Sequence, residues 1–219
     1  MDLRKRFYRV HRTVRKFLQE RQFAARGQVF WYRTEQLCRV VILKRSRWNT
    51  RSECEFWLEL GIFIPGFFPL LWEKQDPPYP QEDFLAVSLR IDNIPLRPPQ
   101  RETVSWYLRA DDPLPQADSQ IEKEILFELE KYLVPFLDRF NNLFDVIDYL
   151  KWVRTHGNQW FKWTQILPND VWLPVYLAVL YWMVGEGALC LQELEDASKN
   201  EEAGICFLTK VADLKKRLF

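Results

Sequence analysis

A chain of 219 residues that is 47% hydrophobic and 16% aromatic has apolar side chain enough for a thick core, which excludes a disordered or low-complexity protein. Its net charge of +1 conceals a polarity, because residues 1–51 carry 15 Lys and Arg against Asp2, Glu20 and Glu35, while the rest carries 16 against 27 acids. Two arrangements produce that polarity: a basic surface for an anionic partner, or a basic third lying against the acidic remainder within one fold.

Residues 3–21 set Leu3, Phe7, Val10, Val14, Phe17 and Leu18 at steps of three and four, which predicts an amphipathic helix with a basic outer face and an apolar stripe laid on a sheet. Three β-rich runs follow, Gln28–Arg33, Leu37–Ser46 and Glu53–Ile64, joined by short polar segments that suit an antiparallel meander. In the third run Cys54, Phe56, Leu58, Leu60, Ile62 and Ile64 share one face, and Glu53, Glu55, Trp57 and Glu59 share the other. Pairing Arg45 with Glu53, Leu43 with Glu55, Val41 with Trp57 and Arg39 with Glu59 brings opposite charges together across two strands. Carboxylates neutralised in that way are the solvated face of a sheet rather than general acids or bases.

The stretch Gly66–Phe84 starts apolar and ends with Pro77, Pro78 and Pro80, which reads as a packed loop leading to an exposed crossing. Ala86–Ile94 and Thr103–Arg109 look like two more strands, divided by a PLRPPQ connection at 95–100. Ser119 and Glu122 form a capping-box signature for a helix that carries Ile121, Ile125, Leu129, Leu133, Phe136 and Phe140, and Pro135 kinks or ends it. Asn142 and Asp145 open another helix to about Thr155, stopped by Gly157. The uncharged segment Val171–Val184 is about 15 residues long where a membrane span needs roughly 20, so a buried helix is expected. Two closing helices, 187–197 and 200–218, complete an α+β fold: an N-terminal helix, an antiparallel meander sheet of about five strands, then a set of C-terminal helices. The expected organisation is an α+β domain over 1–156 and a helical extension over 157–219 packed on it.

Catalytic signatures are absent from the sequence. Seven glycines form neither G-x-G-x-x-G nor G-x-x-x-x-G-K-[ST], and there is no G-x-S-x-G or H-E-x-x-H. Cys38, Cys54, Cys190 and Cys206 show no metal spacing, and His11 and His156 lie far from them in sequence, so no metal, cofactor or catalytic residue is assigned. The first residues lack the apolar run of a secretory signal, which points to a cytoplasmic protein with reduced thiols and four buried, inert cysteines.

The chemically suggestive stretch is LKRSRWNTR, 43–51. Arg39, Lys44, Arg45, Arg47 and Arg51 cluster in sequence around Trp48 at a predicted hairpin tip, a pattern that holds phosphates and stacks a base in single-stranded nucleic-acid binding. The alternative is a tip kept soluble by its arginines with Trp48 folded back on the sheet.

The segments VRKFLQERQFAARGQVFWYR, CRVVILKRSRW, CEFWLELGIFIP and EKEILFELEKYLVPFLDRF together resemble the family described as the domain of unknown function DUF4304, over roughly residues 8–150. Matching positions are Phe23, Gly27, Phe30, Lys44, Ser46, Phe56, Leu60, Gly61, Ile62, Pro135 and Leu137, while Val41–Leu43 replace the polar residues usual in the second strand. The resemblance implies an α+β fold and a mostly bacterial, intracellular setting, and it supplies no activity, cofactor or active-site residue. The expectation is therefore a non-catalytic binding module for a protein partner, without a membrane role. Nucleic-acid binding by the basic helix and the 39–51 hairpin is the alternative, and a hydrolase or transferase using Glu53, Glu55 and Glu59 is the third reading. A homodimer through the outer sheet face is a further arrangement that the aromatic content and charge polarity would suit.

Overall fold

The computed structural model describes residues 2–95, 104–112, 116–160, 171–200 and 204–219. The first helix, α1 (Leu3–Gln19), is capped by the Asp2 side chain, which accepts from the Arg4 amide at 2.9 Å. Its buried stripe is Leu3, Phe7, Val10, Val14 and Leu18, as the periodicity requires, and Arg6 is buried beside it. The meander is β1 (Ala24–Arg26), β2 (Val29–Arg33), β3 (Cys38–Arg45) and β4 (Glu53–Phe63), each antiparallel to the next. Gly27, at φ 60°, supplies the left-handed residue of the tight turn between β1 and β2. After the short helix α2 (Phe67–Trp72) come β5 (Val87–Arg90) and β6 (Trp106–Arg109). Both pair with β4 along its remaining edge, β5 beside Glu59–Ile62 and β6 beside Glu53–Phe56, which completes a six-stranded antiparallel sheet.

The β3–β4 register differs from the charge-matched one. Arg45 stands opposite Phe56, Leu43 opposite Leu58, Val41 opposite Leu60 and Arg39 opposite Ile62. The shift is an odd number of residues, so it changes which side chains share a face. Hydrophobic burial decides the outcome: the charge-matched pairing would have set Val41 and Leu43 among the carboxylates, whereas here both are fully buried with Leu58 and Leu60 beneath the helices.

The two sheet faces bury different cores. On the helical face, α1 packs Phe7 edge-on against Phe56, and a single large cluster runs from Leu3 through the sheet to Leu218. On the other face Cys38, Val40, Ile42, Phe63 and Leu85 form a small second core. The proline-rich segment expected to be exposed instead lies on that face, with Tyr79 stacked on Trp31 at 5.9 Å, Pro80 buried and Phe84 packed on the small core. Part of the surface suggested for a dimer is thus covered by the chain itself. Gly61 admits this cover: a Cβ there would stand 2.5 Å from the Val87 carbonyl oxygen and 2.7 Å from Leu85.

The helical half is α3 (Gln116–Glu128), a π-turn over Leu129–Leu133, α4 (Val134–Leu137), α5 (Leu143–Trp160), α6 (Leu173–Met183), α7 (Gly187–Ser198) and α8 (Ile205–Leu218). Ser119 lies inside α3 rather than capping it, since the helix already includes Gln116. The π-turn absorbs Pro135, which has no N–H to give the preceding turn, and α4 ends at Leu137. Asn142 and Asp145 do open α5: the Asn142 side-chain oxygen accepts from the Phe144 and Asp145 amides, and Asp145 returns a carboxylate oxygen to the Asn142 amide at 3.1 Å. The helix continues through Gly157 instead of stopping, because one interior glycine costs only about 1 kcal/mol and Val146, Ile147, Leu150 and Val153 anchor the preceding turns. The apolar helix α6 is buried against α2, with Phe67 and Tyr176 rings 5.0 Å apart. Among the described residues no helix is long and apolar enough to cross a membrane. The connection at 96–100, the strand start at Thr103 and residues 201–203 of the last helical run lie outside the described residues.

Candidate functional site

The basic third of the chain divides into two populations. The inward one meets the acidic helices. Arg6, 1% exposed, donates to Asp118 through Nε at 2.8 Å and Nη2 at 2.6 Å, reaches Asp112 at 3.0 Å, and donates to the Arg109 carbonyl. Burial opposes ionisation of Asp112, but the Arg109 amide and the Arg6 guanidinium outweigh it and hold the carboxyl below its usual range. Arg9 pairs with Glu122 at 2.7 Å and Arg21 with Glu130 at 3.6 Å. Arg39 is buried on the helical face, where it donates to the Phe140 carbonyl at 2.9 Å, Asp138 at 2.6 Å and Asn141 at 2.7 Å. Lys44, half-buried on the opposite face, pairs with Glu82 and stands 3.9 Å from Glu59. The first two members of the sequence cluster, Arg39 and Lys44, are therefore bound up within the fold and lie on opposite sides of the sheet.

The outward population is Arg45, Arg47 and Arg51 with Trp48. All three arginines are exposed, and they form no ion pair among the described residues. The turn that carries them is firmly built: Asn49 accepts from the Glu55 amide at 2.6 Å and donates to the Glu55 carbonyl at 3.0 Å, Ser46 N–H donates to the same carbonyl at 3.0 Å, and Thr50 N–H donates to Glu53 at 3.0 Å. Trp48 does not fold back on the sheet. It is 77% exposed, with the Arg47 guanidinium 4.9 Å from its ring centre. Arg45 lies over the Phe7 ring at 4.9 Å, which joins the turn to α1. The outer side of that helix adds Arg4, Lys5, Arg12, Arg15 and Lys16, all exposed, and His11 ties it to the β1–β2 turn by a 2.7 Å hydrogen bond to the Gly27 carbonyl. The result is a cationic face running from the β3–β4 turn along α1.

The carboxylates of β4 have partners other than the arginines of β3. Glu53 meets Arg109 of β6 at 3.0 Å, and Glu55 accepts from the Tyr107 hydroxyl at 2.9 Å. Burial of Tyr107 and its bond to Glu55 push that phenol upward. Glu59 is only 6% exposed. It accepts from Trp57 Nε1 at 2.8 Å, its second oxygen is buried without a hydrogen-bond partner at 3.9 Å from Lys44, and burial raises its pKa against the opposing pull of Trp57 and Lys44. Glu53 and Glu55 are thus partnered on an open face, and Glu59, further along the same face, is buried near Lys44 and its partner Glu82.

Three cysteines are buried and burial pushes their thiols upward, Cys190 to about 11, while Cys206 is exposed on the first turn of α8, contrary to the expectation of four buried thiols. Its preceding Gly204 and Ile205 are exposed as well, because the apolar stripe of α8 begins only at Phe207. Among the described residues no group of His, Cys, Asp and Glu is placed to hold a metal ion. What the sequence could not show is the second small core and the internal partners of Arg6; only the proximity of Asp118 to an acidic helix start signalled the latter.

In the comparison with known protein families, the model described as "Domain of unknown function (DUF4304)" matches residues 14–139. No curated protein and no solved structure matches the chain.

Proposed function

The chain belongs to the DUF4304 family, and we propose that it is a non-catalytic binding module whose working surface is the cationic face of α1 and the β3–β4 turn. One observation carries this reading. Arg6, Arg9, Arg21, Arg39 and Lys44 each have an acidic partner, whereas Arg45, Arg47 and Arg51, which flank the exposed Trp48 in the chain, form no ion pair among the described residues. An exposed indole costs hydrophobic free energy, and Trp with Arg is the pairing enriched at binding hot spots. The partner that fits is a protein with an acidic surface, met in the cytoplasm, where the four free thiols are at home. The partnered state of Glu53 and Glu55 supports binding over acid–base chemistry on the sheet.

A second reading rests on Trp48 itself. An indole held beside a guanidinium on a rigid turn is also a platform for one base of a single-stranded nucleic acid, with phosphates on the neighbouring arginines.

Fluorescence anisotropy with a labelled poly-glutamate peptide and with single-stranded and duplex oligonucleotides, at about 50 and 200 mM salt, separates the two. Salt-sensitive binding that is lost in the Arg45→Ala/Arg47→Ala/Arg51→Ala variant supports the cationic face. A preference for the single strand that Trp48→Ala removes selects the nucleic-acid reading. Absence of binding to every polyanion at low salt sinks both.

A further inference from the structure

We propose that a cavity beside the start of α5, away from the cationic face, is a binding site for a small zwitterion with an apolar body, a free α-amino acid being the simplest case. Its volume is about 490 Å³, within the range of small-molecule sites. Asp145, Asp148, Tyr149 and Trp152 come from one face of α5 at steps of three and four, and Arg139 and Phe140 come from the turn before it. That turn is held from beneath by Arg39, which donates to the Phe140 carbonyl and to Asp138 and Asn141. The frame is therefore fixed before any ligand arrives.

Two features point to an occupant. Tyr149 is 7% exposed and its ring is wedged edge-on between Phe136, at 5.5 Å, and Phe140, at 5.3 Å, yet its buried hydroxyl has no hydrogen-bond partner. A buried hydroxyl left without a partner costs about 1–3 kcal/mol, and a small shift of the ring that lines the cavity would let it bond a ligand atom or a water carried by the ligand and remove that cost. The second feature is charge. Asp145 has one carboxylate oxygen committed to the Asn141 and Asn142 amides, at 2.7 and 3.1 Å. The side chains of Asp148 and Arg139 are exposed and make no hydrogen bond or ion pair among the described residues, so the lining offers a carboxylate and a guanidinium that are both uncommitted.

A ligand with a single charge would answer one of those groups and leave the other facing it. A zwitterion answers both, its ammonium at Asp148 and its carboxylate at Arg139, where a guanidinium can bind two oxygens at once. Apart from Pro95, the rest of the lining is aromatic. Trp152 is fixed by stacking on Tyr149 at 6.1 Å and on His156 at 5.1 Å, and with Phe140 it provides a wall for an apolar side chain.

The test is thermal-shift screening of the full chain against the twenty amino acids at millimolar concentration, followed by calorimetric titration of the best binder and of its analogues lacking the carboxylate or the amine. The zwitterion is expected to bind at least tenfold more tightly than either analogue. Arg139→Gln should bring its affinity down to that of the amine alone, and Asp148→Asn to that of the acid alone. Both substitutions are at exposed positions, and unchanged melting of the free variants checks that they fold. Tyr149→Phe should keep the free protein at least as stable and weaken the complex. No amino acid raising the melting temperature, an analogue binding as tightly as the zwitterion, or variants that leave the affinities unmoved would each overturn the assignment.

Discussion

Arg6 and Arg47 belong to the same basic third of the chain and do opposite things. Arg6 is sealed between α1 and α3 with two carboxylates and a backbone carbonyl, while Arg47 stands in solvent beside an exposed indole. The difference teaches that a charge asymmetry along a sequence is resolved residue by residue: burial turns one arginine into an internal clamp, and exposure leaves the other without an ion pair among the described residues, open to the partner proposed above.

The sharpest way to break this comparison is to remove the clamp. Arg6→Met should leave Asp118 buried without its cation and cost about 3–5 kcal/mol, read as a lower urea midpoint. A cost under about 1 kcal/mol would mean that Arg6 is as dispensable as Arg47. Next in size is Gly61→Ala on β4. The added methyl meets the Val87 carbonyl, so β5 or the Leu85 cover must shift, at about 1–3 kcal/mol by the same denaturation measurement.

Glu59→Gln tests another buried charge, and its expected effect has the opposite sign. Burial raises the folded pKa of Glu59 above its unfolded value, so the native state holds the proton more tightly; the stability this gives is present below the ordinary carboxylate range and lost as pH rises through the folded pKa. Gln keeps an oxygen for Trp57 Nε1 and carries no charge. The variant should be about 1 kcal/mol more stable than the parent at about pH 7.5 and no more stable at about pH 4, as melting curves at the two values would show. Smallest of all is the outward set: Arg45→Ala, Arg47→Ala and Arg51→Ala together should move stability by no more than about 0.5 kcal/mol per site while abolishing polyanion binding. A large loss of stability there would place these arginines with Arg6.

Much of the architecture was legible because it rests on local periodicity. The stripe Leu3, Phe7, Val10, Val14, Leu18 and the alternation from Cys54 to Ile62 each name their buried face without reference to the rest of the chain. The Asn142–Asp145 helix start was legible for the same reason, since a cap is made within four residues. The β3–β4 register was not, because two criteria competed and charge matching lost to the burial of Val41 and Leu43. The cationic surface was half legible. Arg45, Arg47, Arg51 and Trp48 are outside, as their loop chemistry suggests, but Arg39 and Lys44 sit in strand positions whose side chains pass to opposite faces and find carboxylates distant in sequence.

The sequence by itself determined the order and kind of most elements and the faces they bury, because those follow from repeat periods of about two and 3.6 residues and from short-range hydrogen bonding. Only the tertiary structure decided which charges face each other, which strand edge β5 and β6 share, and that the proline-rich segment closes a second core around Gly61. Those outcomes depend on distances between residues far apart in the chain, which no local pattern encodes.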